Sequence, residues 1–225
     1  MRTLKDILVE KLSVDDISFD TLDKKLKKKY KLVYNPRTNC YDCDKDIEVK
    51  DDLIENGHFI CDFGIVKGNF VCSWCNGLET LIGAPKEVEG YFWCNNCENL
   101  ISLKGSPNKV GNAFICSNCK KLKSLIGAPE EVRGGFNCSV CVSLETLEGA
   151  PKEVGKHFDC SSCSSLKNLE GVPEKVNADF FCSYCNTLKS LKGAPKEVAG
   201  IFWCNDCPQL TEYNIDTKIG GSFIK

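Results

Sequence analysis

The sequence predicts a solenoid: a rod of stacked coils, each contributing a short parallel strand, with turns and irregular segments on the return side. Three observations carry this. Cysteines 72, 94, 116, 138, 160, 182 and 204 recur with a period of 22, and each is followed three residues later by a second cysteine. Phenylalanine at 70, 92, 114, 136, 158, 180 and 202 keeps the same phase, as do leucines from 78 to 210 and valines from 88 to 198. Every unit but the last, which decays after Leu210, also closes on a Gly-x-Pro element such as Gly105-Ser106-Pro107, which interrupts helix over a return of only about six residues. A unit this small buries its apolar set only against its neighbours, which is the logic of a solenoid.

The bulk numbers narrow the function. With 225 residues, 42% hydrophobic, and a formal charge of −2, the chain has an ordinary soluble composition. Near-neutral charge argues against a general nucleic-acid or membrane binder, since both need a basic field. No apolar run approaches the ~18 residues of a membrane span. The opening Met1-Arg2-Thr3-Leu4-Lys5-Asp6 mixes charges where a signal peptide needs an apolar core. A reducing cytoplasmic location is expected, and with it reduced cysteines. The count of 17, with Cys61 left over from the Cys-x-x-Cys pairs, fits that expectation.

In chain order, residues 1–45 read as a helical N-terminal cap. Thr3 and Asp6 resemble a capping box, and Leu4, Ile7, Leu8 and Leu12 share one helical face. Phe19, Leu22, Leu26 and Tyr30 repeat that spacing, with Lys24, Lys25, Lys27, Lys28 and Lys29 on the other face, a solvated surface or a phosphate contact. Asn35-Pro36 ends this unit. Residues 46–69 form an irregular first coil or hairpin, with Asn56-Gly57 between apolar runs as a type I′ turn signal. Residues 70–213 hold seven repeats, and 214–225 a truncated strand whose open edge could take a second copy or a partner.

The cysteine pairs have two readings. Cys-x2-Cys-x18-Cys-x2-Cys lies within zinc-ribbon spacing, so a metal-binding repeat that contacts nucleic acid is the alternative function. Against it, seven like units cannot pair off, and a metal-held ribbon does not need so complete an apolar inventory. Reduced interior packing is favoured, with no cofactor. Cys40 and Cys43 lie outside the repeat phase and are the best candidates for any metal.

The pattern L-x-x-L-x-L-x-x-N/C-x-L accounts for the columns: Phe92 and Cys94 point inward on the strand, Cys97 turns inward at the bend, Leu100 and Leu103 fill the interior, and Val110 closes the coil. The final leucine lies one residue later than in that formula. The unit Phe180-x-Cys182-Ser183-x-Cys185-x-x-Leu188-x-Ser190-Leu191-x-Gly193-Ala194-Pro195-Lys196-Glu197-Val198 resembles leucine-rich repeat proteins of tailed phages and some bacteria. The resemblance covers roughly residues 56 to 223. It implies a curved leucine-rich repeat solenoid with short parallel strands on the concave face and no cofactor.

If Phe92 and Cys94 face inward, their neighbours face solvent. One outward column is Val71, Trp93, Ile115, Asn137, Asp159, Phe181 and Trp203; a second is Asn69, Tyr91, Ala113, Gly135, His157, Asp179 and Ile201; a third is Trp74, Asn96, Asn118, Val140, Ser162, Tyr184 and Asp206. All three tryptophans fall in these columns, where the fold does not need them. They stand in two apolar groups with Asn137, His157 and Asp159 between, so a protein partner gripped at two ends is expected. Nucleic acid is expected only indirectly, through a nucleoprotein partner or the lysine helix. His58 and His157 are far apart and no nucleophile motif accompanies them, so no enzyme is expected. The phage resemblance implies an inhibitor of a host defence effector, such as a CRISPR or other immune nuclease, acting in the host cytoplasm.

Overall fold

The five-residue valine-to-phenylalanine entry of each unit, V-x-G-x-F in the unit from Val88, folds as two strands of two residues each, joined by a bend between them. In the computed structural model, which describes residues 19–225, Glu87–Val88 is followed by Phe92–Trp93, and every later unit repeats this pair. Valine strands stack only on valine strands and phenylalanine strands only on phenylalanine strands, all parallel, with partners such as Val88↔Val110 and Phe92↔Phe114 22 residues apart. The result is a parallel β-solenoid of about eight coils with two main sheets, one of ten strands and one of nine. One strand per coil was expected, with an irregular return. The second sheet escaped the sequence reading because two alternating residues are too few to register as periodicity.

The corners follow from the remaining motif. Each Cys-x-x-Cys is a tight turn whose third residue has positive φ, from 55° at Asn118 to 64° at Trp74. The Leu-x-Gly-x corner is another, closed by bonds such as Ala128 N–H to the Leu125 carbonyl at 2.9 Å, with φ near 90° at its glycine. Such turns call for glycine at that place. At Gly149 the requirement is double: φ is +91°, and a Cβ would lie 2.4 Å from the Ile126 Cα of the coil below.

Inside, the side chains form columns. Phe70 to Phe180 stack nearly face to face, with centroids 5.1 to 5.6 Å apart, close to the strand spacing that sets them. The leucine, valine and cysteine columns are buried around them. All 17 cysteines are buried free thiols. From the second repeat on, the second cysteine of each pair has a specific role: its thiol donates to the carbonyl of the first cysteine one coil back, as in Cys97 to Cys72 at 3.2 Å, Cys119 to Cys94 at 3.3 Å, and so on to Cys207 and Cys182 at 3.3 Å. A hydrophobe of the same size would leave those carbonyls without that donor.

The N-terminal region departs from the expected all-helical unit. Helix α1 (Phe19–Tyr30) ends before Lys31, whose φ is 56°. Strands β1 (Val33–Asn35) and β2 (Cys40–Cys43) then form an antiparallel pair, and β2 continues as the first member of the parallel stack. Cys43 pairs with Val66 and so occupies the valine column of the first coil, while β3 (Ile47–Glu48) supplies Ile47 opposite Phe70. The register slips by one residue here, and Cys40 and Cys43 are out of phase in the sequence because they align with the strand Phe63–Val66, not with the Cys-x-x-Cys turns. Strands β4 (Ile54–Glu55) and β5 (His58–Phe59) form a hairpin around Asn56-Gly57, at φ 50° and 80°. Leu26 and Tyr30 of α1 are buried with the core, and the Tyr30 hydroxyl donates to Asp52 at 2.7 Å. The helix expected around Leu4, Ile7, Leu8 and Leu12 lies outside the described residues. No helix among the described residues is long and apolar enough to cross a membrane.

Candidate partner-binding face

Strand parity sends the residues flanking each interior phenylalanine outward, so the phenylalanine sheet presents one continuous outer face. Val71, Trp93, Ile115, Asn137, Asp159, Phe181 and Trp203 are half-buried along it by their neighbours in the stack. Tyr91 packs on Trp93 at 5.5 Å, and Phe181 on Trp203 at 6.2 Å, with Ile201 beside them. A polar column missed by the sequence reading runs alongside: Ser73, Asn95, Ser117, Ser139, Ser161, Ser183 and Asn205. Neighbours in it hydrogen-bond, as from the Ser73 hydroxyl to Asn95 Oδ1 at 2.6 Å and from Ser183 to Asn205 at 2.6 Å. Its signal was already present in the recurrent Cys-Ser-x-Cys.

The third expected column sits not on the strands but at the positive-φ corner of each Cys-x-x-Cys turn. Asn96, Asn118 and Asp206 suit that conformation; Trp74, Val140 and Tyr184 do not, since left-handed backbone costs an ordinary residue about 1–2 kcal/mol. Trp74 is 67% exposed and Tyr184 55% exposed, so burial does not offset the strain. Strain retained at exposed aromatic residues points to a role outside folding.

Charge is divided sharply between the faces. From the coil after Ile65 onward, the outward residue of successive valine strands is charged: Glu87, Lys109, Glu131, Glu153, Lys175, Glu197, Lys218. Ion pairs link the coils there, such as Lys109 to Glu131 at 3.7 Å and Lys196 to Glu174 at 3.0 Å. In the four outward columns of the seven repeats, by contrast, there is no lysine or arginine, although the chain has 29; only the first coil, with Lys50 at the Ser73 position, adds a cation. Those columns hold carboxylates at Asp159, Asp179 and Asp206, one imidazole at His157, and otherwise aromatic, aliphatic, hydroxyl and amide groups. One donor on this face is unmet: the Trp93 indole N–H is buried with no hydrogen-bond partner.

The remaining candidates are placed as follows. Lys24, Lys27, Lys28 and Lys29 are exposed on α1, which also carries Lys25, and Lys29 pairs with Asp52. Cys40 and Cys43 are buried, and their thiols donate to the Thr38 and Lys45 carbonyls, each at 3.3 Å. Among the described residues no three His, Cys, Asp or Glu side chains converge as metal ligands would. His58 Nδ1 lies 2.7 Å from the Thr80 hydroxyl, which also accepts the Ile82 N–H and so closes a local turn. His157 Nδ1 lies 3.1 Å from Asp179 Oδ2. Burial pushes the thiols up: to about 11 at Cys97, about 12 at Cys75 and Cys119, and well above the ordinary value at Cys72, Cys94, Cys116, Cys138, Cys160 and Cys182. Only at the far end does the trend reverse, where the neighbouring Cys185 and Cys182 thiols lower Cys207, to about 7, and Cys204. Set against protein-family models, curated proteins and solved structures, the chain matches none of them.

Proposed function

We propose that this chain is a non-enzymatic protein-binding scaffold of the leucine-rich repeat kind, whose partner docks on the outer face of the phenylalanine sheet. The observation that carries this is the division of charge across the seven repeats: outward columns with exposed aromatics and no lysine or arginine, beside valine strands whose outward residue is charged from Glu87 to Lys218. Aromatic anchors among small polar groups are the composition of interface hot spots. Direct nucleic-acid binding on this face is disfavoured, because its columns across the seven repeats carry no lysine or arginine to neutralise phosphates. The N-terminal helix caps the first coil. The likeness of the repeat unit to those of phage proteins supports the narrower role, inhibition of a host defence effector such as an immune nuclease in the host cytoplasm.

Replacing Trp93 and Trp203 together by alanine tests this reading. A partner retained by the wild-type protein from host lysate should bind the variant at least ~30-fold more weakly, at the ~2 kcal/mol scale of a hot-spot residue, with the melting temperature lowered by only a few degrees. Unchanged retention would count against this face.

A further inference from the structure

The expected polar middle of the face contains an apolar slot. Its floor is the position where one outward column loses its side chains, at Ala113 and Gly135; Ile115, Phe136 and Phe181 give it apolar walls, and its volume is about 280 Å³. The fold does not require this gap. Gly135 is not in the left-handed region, and a Cβ there would meet only the His157 carbonyl oxygen, at 3.2 Å, and its nitrogen, at 3.8 Å. The same place in neighbouring coils holds Tyr91, His157 and Ile201 in the same strand register. This contrasts with Gly149, where both φ and the backbone below exclude a side chain. Gly135 is therefore space on an otherwise filled surface.

The rim states what the space is for. Asp159 borders the slot, holding Asn137 Nδ2 at 3.3 Å and the Ser161 N–H at 2.9 Å, and His157, itself paired with Asp179, forms the adjoining wall. No lysine or arginine lines the slot, so Asp159 borders it without a lysine or arginine partner there. The volume is near the lower bound of small-molecule sites, roughly 300–1,000 Å³, and suits one large side chain better than a whole ligand.

Building on the binding face proposed above, we infer that the slot receives a single aromatic or large aliphatic side chain of a protein partner, from a segment that places arginine or lysine beside it. The carboxylates select the flanking cations, and the apolar walls hold the anchor.

The test is a titration of isotope-labelled full-length protein, followed by amide NMR, with a blocked heptapeptide carrying a central tryptophan and an arginine two residues to either side. Saturable shifts should centre on Ala113, Ile115, Gly135 and Asn137. Exchanging the arginines for glutamate, or the tryptophan for alanine, should weaken binding about tenfold or more. Gly135→Leu fills the slot and should abolish the shifts; Ala113→Leu, which adds bulk where no glycine is replaced, should do the same if Gly135→Leu fails to fold. Asp159→Asn should remove the preference for arginine over glutamate. No saturable shift at millimolar peptide, equal binding of the glutamate peptide, or undiminished binding by the filled variants would overturn the inference. Shifts centred on Trp93 or Trp203 would overturn the slot while leaving the wider face standing; no shift anywhere on the face would count against both.

Discussion

Raising the pH from 8 to 11 should unfold this protein cooperatively. The cause is the interior thiols. Cys72, Cys94, Cys116, Cys138, Cys160 and Cys182 are fully buried, and desolvation holds each well above its ordinary value of 9.0. Between that value and the folded one, the unfolded chain releases protons that the folded chain keeps. Stability is therefore whole below pH 9 and falls as pH rises beyond it, by about 1.4 kcal/mol per thiol per pH unit. Six such thiols act in the same direction over this range, against a typical total stability of only about 5–15 kcal/mol. Circular dichroism across this range checks it. Each replacement of a column cysteine by alanine should flatten the pH slope by about one proton, and a chain still folded at pH 11 would refute the burial of these groups.

The second large effect is expected at the centre of the phenylalanine stack. Phe136 is 1% exposed and lies between the rings of Phe114 and Phe158 at 5.3 and 5.4 Å, so Phe136→Ala leaves a hole bounded by the strands of both neighbouring coils. Those strands are fixed by their own ladders, such as Phe136 N–H to the His157 carbonyl at 2.8 Å, and cannot collapse into the hole. A loss of about 3–5 kcal/mol is expected, read from the urea midpoint. Phe223→Ala, at a half-buried terminal ring, should cost less than half as much. Equal losses would mean that the stack is not the core.

The columns were legible before the structure because a period of 22 repeats every interior choice: Phe92, Cys94, Cys97, Leu100, Leu103 and Val110 are all buried as expected. What stayed hidden was short or out of phase. The valine strands are two residues long, and Cys43 entered the valine column through a slipped register. The turn at Trp74, Val140 and Tyr184 was also hidden, because those residues conceal a left-handed corner that Asn96 and Asn118 would have suggested. On the outer face, parity puts Trp93 and Trp203 on the outward side of their strands, whereas Trp74 reaches solvent through the left-handed corner. The slot could not be read, since Gly135 becomes informative only when its backbone is seen to need no glycine.

The cysteines are the most visible feature of the chain, and the central claim is that they build the coil while the outer face recognises a partner. Thiol titration together with metal analysis of the protein purified without chelator tests this most directly. The expected result is less than one zinc per chain and 17 thiols reacting in denaturant. In the native protein, prompt reaction should be confined to the end pair, Cys204 and Cys207, whose values are lowered. Stoichiometric zinc, released as native thiols are modified, would contradict it and make the Cys-x-x-Cys pairs the chemistry of the protein.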